Sequence, residues 1–353
     1  MAANEVVNGT LTVGDFILLQ AYFMQLSGPL FNMGMFFREV AQSSVDVEDL
    51  YYILQQKSAV EEAPDAKEFR FEQGLIEFRN VSFGHRRTAK GLGGGADSLK
   101  APIDAETGEE VADTNDSEIK HLFENFNLKI EAGTTNAIVG PSGFGKTSML
   151  HLLFRIYDPT QGQVLIDGQD VKDLKFESFR KHIVVVPQNG ILFNDTIERN
   201  ILYGNPQATQ EDVIRVAQQC SLHESIMNMP DQYQTQVGDL GSKLSGGERQ
   251  RVLIARGLLK PHAEIFLFDE ATSNLDANTE HEIMSELESI MKGKTVIYCA
   301  HRLSSIVNVD KIHVVMNGRL AEQGTHKKLL SDPGSAYSHM WSNIDNSKRD
   351  ENA

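Results

Sequence analysis

Cysteine is nearly absent from this chain. Cys220 and Cys299 are its only two in 353 residues, so neither a disulfide framework nor a cysteine-based zinc site can hold it together, and nothing demands an oxidising compartment. Basic residues are also in deficit, with 33 Lys and Arg against 49 Asp and Glu for a net charge of -16. That balance argues against a protein that grips nucleic acid, because such binding depends on a cationic surface that neutralises phosphates. The mean hydropathy of -0.30 excludes a polytopic membrane protein as a whole. No basic region precedes the first apolar run and no small-residue cleavage site follows it, which rules out a signal peptide. What is present, 41% hydrophobic and 23% charged residues, suffices for one large or two ordinary globular domains with a buried core.

One uncharged run does stand out, from Phe16 to Phe37 between Asp15 and Arg38. It is about 22 residues, roughly 33 Å as a helix, which predicts a transmembrane helix, with a buried core helix as the bland alternative. Gln25, Gly28, Asn32 and Met35 recur at helical spacing and give one small or polar face, of the kind that packs against other membrane helices. The pattern after Arg38 turns amphipathic (Val40, Val45, Val47, Leu50, Ile53) and extends the helix to about Gln56. The expected organisation is residues 1–56 as helix and extension, 57–75 as linker, 76–345 as the catalytic domain and 346–353 as tail. Within the domain, a strand-like run begins at Ile76, and residues 86–118, rich in Gly, Ala, Asp and Glu, read as a disordered surface insertion.

From Phe123 strands and helices alternate, the pattern of a mostly parallel sheet covered by helices. A buried strand ending in Ala137-Ile138-Val139 runs into Gly140-Pro141-Ser142-Gly143-Phe144-Gly145-Lys146-Thr147, followed by Ser148 and an apolar helix. This is a phosphate-binding loop in its required context. The glycines let backbone N–H groups converge on phosphate oxygens at a helix N-terminus, Lys146 reaches the β- and γ-phosphates, and the Thr147 hydroxyl suits Mg²⁺. A second apolar strand, Ile265 to Phe268, ends in Asp269-Glu270. Asp269 can hold Mg²⁺ through water, and Glu270 is placed to polarise an attacking water. Together they predict hydrolysis of a Mg²⁺-bound nucleotide.

Leu244-Ser245-Gly246-Gly247-Glu248-Arg249-Gln250-Arg251 opens a further helix and resembles the signature of the ATP-binding cassette (ABC) superfamily. The resemblance implies an α/β fold with a mixed sheet and a helical subdomain, ATP and Mg²⁺ as cofactors, and a head-to-tail homodimer. In that dimer, Leu244, Ser245, Gly246, Gly247 and Glu248 close over the partner's nucleotide. It also implies roles for Gln188 in Val186-Pro187-Gln188 (Mg²⁺ and water sensing), for His301 in Ala300-His301-Arg302 (a switch contacting the γ-phosphate and Glu270) and for Ser273-Asn274-Leu275-Asp276 (a loop crossing to the partner). Where the family stacks adenine on tyrosine, this chain has His85. Asp239-Leu240 stand where exporters often carry Glu-Arg.

The resemblance reaches beyond the cassette. Leu11-Thr12-Val13-Gly14-Asp15-Phe16, Gln25-Leu26-Ser27-Gly28-Pro29-Leu30 and Arg38-Glu39-Val40 are similar to the last membrane helix of a type IV ABC half-exporter. With Tyr337-Ser338-His339-Met340-Trp341, they most resemble the mitochondrial half-transporters that serve iron–sulfur protein maturation, whose relatives include vacuolar heavy-metal tolerance exporters. This implies a small-molecule substrate, glutathione or a glutathione-linked sulfur or metal species. Gly34, Met35 and Arg38 are the matching cavity positions, and the place is the mitochondrial inner membrane with the ATPase domain in the matrix, or else the vacuolar membrane. With one of six helices per subunit, the chain reads as N-terminally truncated. A membrane-tethered ATPase without transport activity and a soluble ABC ATPase stay open as alternatives.

Overall fold

The computed structural model describes residues 8–10, 12–55, 58, 60–86, 119–141, 143–188, 190–271, 277–300 and 302–342. The chain divides into two compact units, residues 1–59 and 60–353.

The first unit is one helix, Val13–Gln55, of 43 residues with none of them buried. Thr12 and Asp15 start it by a reciprocal cap: the Thr12 N–H and Oγ1 donate to Asp15 Oδ2 at 3.0 and 2.6 Å, and the Asp15 N–H donates to Thr12 Oγ1 at 3.2 Å. The amphipathic continuation past Arg38 is part of the same helix. The expected long helix is present, but it is less apolar than the expected span. Among the described residues no helix is long and apolar enough to cross a membrane. The helix has ample length, but Gln20, Gln25, Ser27, Gly28, Pro29 and Asn32 dilute the apolar run.

The second unit contains two sheets. Strands β1 (Ile76–Arg86), β2 (Ile119–Ile130), β4 (Gln161–Ile166) and β5 (Gln169–Asp170) form an antiparallel sheet in the order β2-β1-β4-β5. Strands β3 (Thr135–Val139), β6 (Ile183–Val186), β7 (Ile265–Asp269), β8 (Thr295–Cys299), β9 (Lys311–Met316) and β10 (Arg319–Gly324) form the larger sheet, in the order β10-β9-β3-β8-β7-β6. It is parallel except for β10. Only residues 131–134 separate β2 from β3, yet the two strands belong to different sheets. Arg86 pairs with Ile119 and so extends β1 into the expected insertion; residues 87–118 lie outside the described residues.

The inner strands are apolar on both faces because both faces are covered. Side chains alternate: Ala137, Val139, Phe266 and Phe268 join one core with Val216, Val252 and Ile254, while Ile138, Leu267 and Ile297 join the other with Met149, Leu152, Phe78 and Phe126. Helices therefore cover one face, and the antiparallel sheet with helix Lys146–Leu153 covers the other. The parallel strands all end on one edge of the sheet, where parallel α/β folds bind ligands.

Candidate nucleotide-binding site

β3 delivers the phosphate loop to that edge, and two glycines are required there by space. A Cβ at Gly140 would lie 2.2 Å from the Val315 carbonyl oxygen of β9. At Gly145 φ is +90°, in the left-handed region, and a Cβ would lie 2.5 Å from the Phe123 ring. Gly145 caps the helix Lys146–Leu153, whose Met149, Leu150, Leu152 and Leu153 are buried. Lys146 is only 5% exposed. Its Nζ donates to the carbonyls of Gly140 at 2.8 Å and Pro141 at 3.3 Å, so the ammonium lies across the mouth of its own loop.

The second motif meets the first directly. Thr147 Oγ1 donates to Asp269 Oδ1 at 3.1 Å, joining residues 122 positions apart. Burial pushes the Asp269 carboxyl above its ordinary range, the Thr147 hydrogen bond pulls it part of the way back, and the charge of Glu270 raises it again. A hydroxyl and a half-buried carboxylate in contact are hard oxygen donors that fit Mg²⁺. Glu270 follows at φ +49°, a left-handed conformation uncommon outside glycine, and its N–H donates to the Cys299 carbonyl at 3.0 Å. Gln188 is exposed two residues beyond the end of β6, the strand beside β7. The sheet thus brings Lys146, Thr147, Gln188, Asp269 and Glu270 to one edge.

The signature opens helix Gly246–Leu258, as the sequence suggests, and is itself helical from Gly246 on. Ser245 is the cap: its Oγ accepts from the Glu248 N–H at 3.2 Å, while the Ser245 N–H and Oγ donate to Glu248 Oε2 at 2.9 and 2.8 Å. Ser225 Oγ donates to the other carboxylate oxygen at 2.6 Å. Burial pushes the Glu248 carboxyl up, but the hydrogen bonds from Ser225 and Ser245 outweigh it and hold the group below its ordinary range. Leu244 is buried behind the motif, and Ser245 and Gly246 are exposed. The start of this helix is therefore open at the domain's surface.

Several expected site residues are not covered. Ser142, His301 and residues 273–276 lie outside the described residues. For His85 only the backbone is described, and it pairs with Lys120 between β1 and β2. Gly34, Met35 and Arg38 sit on the exposed first helix, and a Cβ added at Gly34 would meet nothing within 4 Å, so that unit by itself forms no cavity at these positions. Sequence reasoning missed Val315 and Phe123, which close the loop from below, Ser225, which braces the signature, and Cys299, whose thiol donates to the Lys146 carbonyl at 3.7 Å. Each acts across a large sequence distance and carries no local pattern.

Comparisons with known proteins agree with the geometry. Residues 123–273 match the family model described as ABC transporter. The chain is 39% identical over 350 residues to the mitochondrial iron-sulfur clusters transporter ABCB7 of Danio rerio, covering 99% of this chain and 43% of that protein. It is 38% identical over 341 residues to the heavy metal tolerance protein of Schizosaccharomyces pombe, covering 97% of this chain and 37% of that one. Among solved structures it resembles a bacterial Atm1-family ABC exporter with ATP bound, with a TM-score of 0.72, 37% identity, and coverage of 95% of this chain and 53% of that chain. The chain spans less than half the length of these curated relatives.

Proposed function

With residues 123–273 an ABC transporter domain, we propose that this chain is the ATP-binding and ATP-hydrolysing C-terminal part of a half-exporter, working as a homodimer. The observation that carries the reading is the Thr147–Asp269 hydrogen bond, which joins the phosphate loop to the acidic strand tip. In this reading the loop's N–H groups and Lys146 hold the β- and γ-phosphates, Lys146 exchanging its loop carbonyls for phosphate oxygens. Thr147, Asp269 and Gln188 would hold Mg²⁺, which neutralises charge between the phosphates. Glu270 orients and polarises the attacking water, its carboxylate presented by the strained backbone beyond β7. Ser245 and Gly246, exposed at a capped helix start, and the partly exposed Gly247 serve the nucleotide on the partner's loop. His301 and His85 take the switch and adenine-facing roles.

The whole protein's work is proposed on its likeness to the iron-sulfur clusters and heavy metal tolerance proteins. We assign it export of a glutathione-linked sulfur or metal compound across the mitochondrial inner membrane, with the ATPase domain in the matrix. The second reading is a vacuolar heavy-metal exporter, which the likeness to the heavy metal tolerance protein favours. Helix Val13–Gln55, too polar to stand alone in lipid, fits a bundle member covered by neighbouring helices, and Gly34, Met35 and Arg38 face the substrate in that bundle.

Phosphate release tests the ATPase reading. Glu270→Gln is expected to lower MgATP hydrolysis by about 100-fold or more while nucleotide binding stays within about 2-fold. Hydrolysis that survives this substitution overturns the assignment of Glu270. Glutathione, glutathione disulfide and a glutathione–metal complex, added to the protein in vesicles, test the substrate class. Stimulation by none of them excludes it.

A further inference from the structure

Just past the phosphate-loop helix sits an arginine in a place that favours glycine. Helix Lys146–Leu153 ends in a doubly bonded turn in which the Arg155 N–H donates to the Leu152 carbonyl at 3.1 Å and the Ile156 N–H to the His151 carbonyl at 2.8 Å. This turn sets Arg155 at φ +53°. Glycine occupies that position without strain, whereas a side chain there carries a cost, so something about the side chain offsets it.

The Arg155 side chain is only 2% exposed and spreads its donors over three segments. Nε donates to Asp158 Oδ1 at 3.0 Å, one terminal nitrogen to the carbonyls of Val171 and Leu174 at 3.3 and 3.4 Å, and the other to the Glu61 carbonyl at 3.0 Å. The guanidinium also lies 4.8 Å from the centre of the Phe176 ring, and the Phe176 N–H donates to Glu62 Oε2 at 2.7 Å. Residues 60–67, read from sequence as linker, are thereby held against the rest of the second unit. Lys67 adds backbone bonds, its N–H donating to Asp173 and its carbonyl accepting from Lys175. In chain order this is where the second unit receives the polypeptide from the long helix.

We propose that Arg155 is a positioning residue that ties the linker at Glu61 to the end of the phosphate-loop helix, so that nucleotide held at Lys146 is felt where the linker enters the domain. The inference rests on the proposed MgATP site. Lys146 opens and Arg155 closely follows one helix of eight residues, about 12 Å long, whose backbone hydrogen bonds make it a stiff connection. A displacement at its first turn therefore reaches the guanidinium, and through it Glu61, without passing through a flexible loop.

Amide hydrogen exchange across residues 60–69 of the full chain, with and without a non-hydrolysed MgATP analogue, tests this. In the unsubstituted protein the analogue is expected to change the exchange rate at residues 60–63 by about 3-fold or more. Arg155→Gly suits the backbone and removes the guanidinium; Arg155→Lys keeps the charge and the stem, loses the fork that reaches the Glu61 carbonyl, and keeps the test available should the glycine change unfold the domain. Both are expected to abolish the response while affinity for the analogue, measured separately, stays within about 2-fold of the unsubstituted chain's. A purely structural role would raise exchange equally with and without the analogue and leave the ratio intact, which overturns the proposal. Analogue binding without any change at the linker also overturns it, alone. Failure of the unsubstituted chain to bind the analogue overturns it together with the nucleotide reading.

Discussion

His313 lies in the middle of β9 with no exposure to solvent. The Asn136 side-chain N–H₂ is committed to Thr134, so its Oδ1 accepts from His313 Nε2 at 3.0 Å, and Nδ1 is left buried without a partner among the described residues. Burial lowers the imidazole from 6.5 to about 4. The folded state thus binds fewer protons than the unfolded chain between those values, and the stability His313 contributes is complete above about 6.5 and is lost as pH falls towards 4. The fall amounts to about 3 kcal/mol at most. Denaturant midpoints measured from pH 7.5 to 4.5 should show a steeper acid loss than those of His313→Gln; parallel curves would exclude His313 as the cause. Asp269 has the opposite sign. Burial raises its carboxyl, so its contribution is complete below the ordinary carboxylate value and is lost as pH rises through the raised one. Asp269→Asn is therefore expected to raise the melting temperature at pH 7 by about 2 °C while abolishing Mg²⁺-dependent hydrolysis, the exchange of stability for function common at charged sites. A lower melting temperature would show that the Thr147 bond outweighs burial.

Single helices and loops carry the next set of consequences. The phosphate loop tolerates no side chain at its first glycine, since the Val315 carbonyl of β9 occupies the space. Gly140→Ala must push β3 and β9 apart, and isothermal titration is expected to show MgATP affinity reduced by about 10-fold or more, with a destabilisation of about 1–3 kcal/mol. Unchanged binding would mean that the loop moves independently of the sheet. The signature helix depends on its cap in a different way: Ser245→Ala removes the side-chain bond to the Glu248 N–H and should cost about 1 kcal/mol in chemical denaturation. Most of this organisation was legible in the sequence. The loop glycines, the strand ending in Asp269-Glu270 and the Leu244–Arg251 signature are local patterns with local causes. That β2 and β3, only four residues apart, belong to different sheets was not legible: Glu131-Ala132-Gly133-Thr134 marks a turn, but a turn does not say whether the strands on either side pair.

For the whole molecule, the exposure of Ser245 and Gly246 predicts complementation between copies. Chains carrying Lys146→Ala and chains carrying Ser245→Arg should each be inactive. Mixed, they form some dimers in which the intact loop of one faces the intact signature of the other, and ATPase activity should return in the mixture. A mixture as inactive as its components would place the signature on its own chain's nucleotide.

What the sequence alone determined are the features whose causes lie within a few residues: the loop that cradles phosphate, the signature at a helix start, the acidic strand tip and a long helix reaching to about Gln56. It also suggested a membrane span from the absence of charge between Asp15 and Arg38; lack of charge is not by itself apolarity, and among the described residues no helix is long and apolar enough to cross a membrane. The tertiary structure decided which distant groups meet. Thr147 bonds to Asp269 because the parallel strands end on one edge, Val315 and Phe123 demand glycine because other strands run beneath the loop, and Arg155 reaches Glu61 because the chain folds back against the phosphate-loop helix. Such contacts are fixed by packing among segments far apart in sequence, which leave no period, cap or turn from which to read them.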